Sequence, residues 1–149
     1  MRPTYRGFEL EALDGAGGYQ FLLRLHRSGV FAYHHAVRDA GGYPGHAVSL
    51  QLECLAMLDA LDIAGGLYGL TSYHSFLQVR TEYQGLNDWH ISDALSGSVI
   101  RAPEFIRHQA ETSVDRVSED AASIVQAMMD RVWQAAEHRR SEVRAGELG

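Results

Sequence analysis

Residues 46–64 constrain the fold more than any other segment, because they predict a helix that is apolar on nearly every side. Its clearest apolar stripe consists of Leu50, Cys54, Met57 and Leu61. A helix of this kind is buried on more than one side, unlike a surface helix with a single apolar face. We therefore expect it to pack against several neighbouring elements and to end at Gly65 and Gly66.

One carboxylate borders this apolar stripe. Glu53 lies at its edge, whereas Asp59 lies on the opposite face of the predicted helix. A buried carboxylate is rare unless it is paired or bound to a metal ion. Glu53 is therefore the acid in this chain that points most directly to a site.

The chain before this helix predicts a three-stranded antiparallel meander. Apolar and polar residues alternate over 5–13, 19–27 and 30–38, and glycine-containing turns separate the three runs. A 3.6-residue period also fits residues 19–37, so a helix is the alternative there. Gly29 and the aromatic and β-branched residues around it favour the hairpin.

After the helix, strands and helices alternate. We expect a fourth strand at 67–70, a short helix at 86–96, a fifth strand at Ser98–Ala102 and a long amphipathic helix from Val114 to about Arg140. Residues 73–83 fit either a strand or a helix. This order predicts an α/β fold with a mixed five-stranded sheet, flanked by helices, and a long C-terminal helix.

Length and composition indicate the number of domains, the cellular compartment and the kinds of partner. A chain of 149 residues predicts one domain, over 1–142, followed by a flexible tail over 143–149. Its one cysteine excludes an internal disulfide, and no signal or membrane-spanning stretch occurs, so we expect a cytoplasmic protein that does not bind membranes. The net charge of −6 argues mildly against unaided nucleic-acid binding.

Four short motifs follow one another along nearly the whole chain. They are LDG with GGY (13–19), ECLAML (53–58), NDWHISDALSG (87–97) and HQAETSVDRVSEDAA (108–122). In order and spacing they resemble the ribonuclease H family. The resemblance implies a ribonuclease H-like fold and metal-dependent hydrolysis of the RNA strand of RNA/DNA hybrids.

The resemblance also implies which residues act. Asp14, Glu53 and Asp115 would hold two Mg²⁺ or Mn²⁺ ions, because hard cations prefer carboxylate oxygens and two ions can activate water and stabilise the leaving oxygen. His108, in a loop, would assist proton transfer or product release. The residues alone allow simpler roles, since Asp14 precedes a glycine as in many turns and Asp115 lies near a helix start.

This sequence departs from the family where the fourth strand ends. The family has a metal-binding Asp there, whereas this chain has Ser72 and Tyr73. With this alignment the helical interpretation of 73–83 fits better than the strand. A serine hydroxyl is a weak substitute for a carboxylate, so a catalytically inactive ribonuclease H-like module is the second interpretation.

The partners follow from each interpretation. Arg24, Arg27 and Arg38 are the candidate contacts to an RNA/DNA hybrid or another nucleic acid, since no basic insertion occurs. The inactive module would instead bind a protein partner, or a second copy, through the long C-terminal helix. A third interpretation is an unrelated α+β domain with a histidine-based metal site, because the chain has eight histidines.

Overall fold

The computed structural model describes residues 2–4, 7–13, 20–26, 29–35, 37, 39, 45–71 and 75–148. The chain divides into two compact units, Met1–Arg38 and Asp39–Gly149, and each is described by itself. The prediction of a single domain over 1–142 stays a prediction.

The first unit contains a four-stranded antiparallel sheet. Its strands, in spatial order, are β1 (Arg2–Thr4), β2 (Gly7–Leu13), β3 (Gln20–His26) and β4 (Phe31–His35). Gly29 has a φ of 84° in the turn between β3 and β4, a conformation that glycine adopts without steric cost. The predicted meander is confirmed, and so is the hairpin rather than the helix over 19–37.

The second unit begins with a short strand that leads directly into the first helix. β5 is His46–Ser49, and α1 is Leu50–Gly69, where the Ser49 hydroxyl accepts a hydrogen bond from the Leu52 amide at 3.4 Å. The predicted helix over 46–64 therefore starts four residues later, at Leu50, directly after its N-cap serine. The predicted stop at Gly65 and Gly66 is wrong, and so is the strand at 67–70, because residues 67–69 form the last turn of α1 and Leu70 is its C-cap.

Four further strands follow α1, and the first two of them lie where a helix was an expected interpretation. They are β6 (Phe76–Tyr83), β7 (Trp89–Asp93), β8 (Ser98–Arg101) and β9 (Ile106–Ser113). β6 shows why the helical interpretation of 73–83 is wrong: its side chains alternate between exposed and more buried positions, with period two. The predicted helix at 86–96 is also wrong, whereas the strand at 98–102 is confirmed through Arg101.

These four strands form one long, interrupted hairpin. β6 pairs with β9 from Phe76–Ser113 to Tyr83–Ile106, and β7 pairs with β8 from His90–Arg101 to the tip at 94–97. Between the two ladders the first arm has six residues, 84–89, and the second has four, 102–105. The extra residues include Gly85 and Asp88, both with positive φ, so the hairpin is bulged at this point.

The described strands form three sheets instead of one mixed five-stranded sheet. β5 pairs in parallel with β7, which gives a three-stranded sheet in the order β5-β7-β8 beside the two-stranded β6-β9 sheet. Parallel and antiparallel pairing occur in the same sheet, so the α/β class with mixed pairing is confirmed. The five-strand count is wrong for the described residues, which contain nine strands. β5, β6 and β7 replace residues counted as helix, β1 and β9 lie where no strand was predicted, and the predicted strand at 67–70 is not formed.

The long C-terminal helix is confirmed and exceeds its predicted length. A short 3₁₀ turn at Val114–Arg116 leads into α2, Val117–Leu148. Its buried side chains recur at helical spacing and pack towards α1, β8 and β9; they are Val117, Ile124, Val125, Met128, Met129, Val132 and Ala136. The helix continues through most of 143–149, whose flexibility stays a prediction. Among the described residues, no helix is long and apolar enough to cross a membrane.

Candidate functional site

Glu53 is buried, as its position beside an apolar stripe predicts. It lies in the first turn of α1 with 4% of its surface exposed. The Tyr83 hydroxyl donates a hydrogen bond to Oε2 of Glu53 at 2.9 Å. A small apolar cavity beside both residues has room for about one water molecule. The predicted burial of Glu53 is therefore confirmed, and one of its partners is a tyrosine from β6.

Asp115 lies in an exposed position at the other end of α1. It belongs to the 3₁₀ turn before α2, within a helical turn of the place where Val117 meets Gly65. Glu53 precedes Gly65 by twelve residues on the same helix, which corresponds to about 18 Å. Ligands of a two-metal site surround ions only about 4 Å apart. The structure therefore does not bring Glu53 and Asp115 together.

The other predicted catalytic positions are described in part. Asp14, Ser72 and Tyr73 lie outside the described residues. His108 lies in β9 opposite Thr81, where it is half-buried, and the prediction that it belongs to a loop is wrong. Its side chains alternate between more buried and exposed positions, as in a strand with one covered face. Within the described part of the chain, no group of three His, Cys, Asp or Glu residues could hold a metal ion.

The predicted nucleic-acid contacts belong to the first unit, which also contains the adjacent histidines His34 and His35. Arg24 is exposed on β3, paired in register with Glu9 and Ala32, whereas Arg27 and Arg38 lie outside the described residues. His34 is exposed and His35 half-buried, as neighbours on a strand that face opposite sides.

Cys54 follows Glu53 and is half-buried. Burial raises the pKa of its thiol, and the nearby carboxylates of Glu53 and Asp93 raise it further. The thiolate is the nucleophilic and metal-binding form of cysteine. Cys54 is therefore held protonated at neutral pH and is a poor candidate for either role.

Pairing between β5 and β7 creates a polar cluster that sequence reasoning missed. Nδ1 of His46 lies 2.8 Å from Oδ2 of Asp39, and the His46 ring stacks on Trp89 with centroids 4.9 Å apart. The Ala47 amide donates to Oδ1 of Asp39 at 3.1 Å. No sequence signal places His46 beside Trp89, because their contact depends on the parallel register of two strands 43 residues apart.

α1 carries an exposed apolar surface opposite its buried side. Leu52, Leu55 and Ile63 are 43%, 59% and 38% exposed, and they share one side of the helix with exposed Asp59 and Asp62. We call these five residues the outward face of α1. The helix contains no Lys, Arg or His, so every charge on this face is negative. The expectation that α1 is buried on more than one side holds for its contacts with α2 and β7, but not for this face.

Comparison of the chain with protein-family models, with curated proteins and with solved structures found no match in any of the three. The resemblance to the ribonuclease H family therefore stays a prediction, and the function is argued from the described geometry.

Proposed function

We propose that this chain is a non-catalytic binding and assembly module whose binding surface is the outward face of α1. The observation that carries the proposal is the exposure of Leu52, Leu55 and Ile63 on one side of a single helix. Single exposed apolar residues are ordinary, whereas a group on one side of an element is typical of an interaction site.

The free energy gained by covering these apolar side chains is large enough for a binding surface. Full burial of a Leu or Ile side chain contributes roughly 1.5–3 kcal/mol, and about half of each of these side chains is still exposed. Covering the three would therefore contribute about 2–4 kcal/mol, which is a useful part of an interface. The two carboxylates on the same face add a preference for a cationic partner.

The positions of the predicted metal ligands favour this module over the nuclease. Glu53 is enclosed in the core beside Tyr83, and Asp115 lies at the far end of α1. A nuclease of the ribonuclease H type would need both acids at one pair of ions. Hydrolysis of RNA/DNA hybrids with Mg²⁺ or Mn²⁺ accordingly remains the competing prediction.

A cleavage assay separates the two functions. A labelled RNA/DNA hybrid is incubated with the full chain and Mg²⁺ or Mn²⁺, beside a Glu53→Gln variant whose fold is checked by circular dichroism. We expect no cleavage from either protein. Cleavage by the wild type that disappears in Glu53→Gln would overturn the proposal, because it would make the buried carboxylate catalytic.

Hydroxyl-radical footprinting tests the binding surface itself. In dilute full chain, Leu55 should be oxidised to an extent between that of Leu95, which is more exposed, and that of Leu61, which is buried. Protection of Leu55 equal to that of Leu61 in a dilute monomer would contradict an open surface.

A further inference from the structure

We draw no further inference here: the strongest candidate, the side-chain cluster of Asp39, His46 and Trp89 where β5 begins beside β7, carries nothing because its one carboxylate and one imidazole hold the start of β5, and the described residues place no third metal ligand beside them.

Discussion

The Tyr83 hydroxyl donates a hydrogen bond to Oε2 of Glu53 across 2.9 Å, and this bond joins the end of β6 to the first turn of α1. Both residues are buried among apolar side chains of β5, β7, β9 and α2. In such surroundings a polar group is costly without its partners. The pair therefore ties the helix to the hairpin and makes both positions sensitive to substitution.

Replacing Tyr83 by Phe should destabilise the chain. The substitution removes one donor from a buried carboxylate and leaves the ring in place, so we expect a loss of about 1.5–3 kcal/mol, the range for hydrogen bonds to charged groups. Urea denaturation followed by circular dichroism measures the change in the free energy of unfolding.

A double-mutant cycle with Glu53→Gln shows whether the loss belongs to this pair. If the two side chains act through their hydrogen bond, the double variant should lose less stability than the two single variants together. Strict additivity would contradict the coupling.

Gly65 and Gly66 should respond to alanine in opposite directions. At Gly65 an added Cβ would lie 2.9 Å from Cγ1 of Val117, where the start of α2 approaches α1. At Gly66 an added Cβ meets nothing within 4 Å. Alanine has the higher helix propensity, so Gly66→Ala should stabilise by about 0.5–1 kcal/mol, whereas Gly65→Ala should destabilise by about 1–3 kcal/mol through the clash.

Denaturation midpoints of the two alanine variants provide the measurement. The neighbouring positions share one helix and one chemical change, so each controls for the other. Stabilisation by both substitutions would show that α2 can move away from Gly65 at little cost.

The same two glycines show what local sequence could and could not predict. Consecutive glycines ordinarily end a helix, and the segment after them was predicted as a strand. The helix passes through them because Gly65 permits the close approach of Val117, a contact between residues 52 positions apart. In contrast, the predicted meander before residue 38 is confirmed, because each of its strands pairs with the next one along the chain. A local signal such as the glycine turn at Gly29 is enough to indicate such pairing.

For Glu53, too, the sequence predicted one part of its environment and not another. The periodicity of α1 predicted a carboxylate bordering a buried stripe, and burial is confirmed. Its partner Tyr83 was not predicted, because residues 73–83 fit two periods and the family resemblance favoured the wrong one. The distance from Glu53 to Asp115 likewise depends on where the start of α2 packs along α1. No local sequence pattern predicts that position.

Cys54 should react slowly with iodoacetamide, and Asp93→Asn should make it react at lower pH. Burial is the largest cause of its raised pKa, and the charges of Glu53 and Asp93 add to it. Removing the Asp93 charge lowers the free energy of the thiolate, so the midpoint of the rate profile should move to lower pH. The midpoint should stay above that of the urea-unfolded chain, because burial remains.

The pH profile of the alkylation rate separates this effect from local opening. Opening would accelerate the reaction at every pH, whereas a charge effect moves the midpoint. Asp88→Asn, on the exposed bulge, is the control and should leave the midpoint unchanged. An unchanged midpoint in Asp93→Asn would contradict the electrostatic coupling.

The Asp93 carboxyl should titrate at lower pH than an ordinary aspartate, and replacement of Ser96 should raise its pKa. The Ser96 hydroxyl donates to Oδ2 of Asp93 at 2.6 Å, and the Gln51 amide donates to Oδ1 at 2.7 Å. These bonds favour the ionised form and lower the pKa of the Asp93 carboxyl. Ser96→Ala removes the largest cause, so the pKa should rise towards its ordinary value, as NMR of the carboxyl carbon would show.

The sign of the pH dependence follows from this shift. Because the folded state holds the Asp93 proton less tightly than the unfolded chain does, the contribution of this group to stability is complete above the unfolded pKa, near 4. It is lost as the pH falls through the lower, folded pKa. Ser96→Ala should bring the folded pKa of Asp93 closer to the unfolded pKa, so the variant should differ most from wild type at neutral pH. The two should become alike as the pH falls below the folded pKa of the wild type. Ser123→Ala, exposed on α2, controls for loss of a hydroxyl, and a difference from wild type that does not shrink in acid would contradict the role of the Asp93 carboxylate.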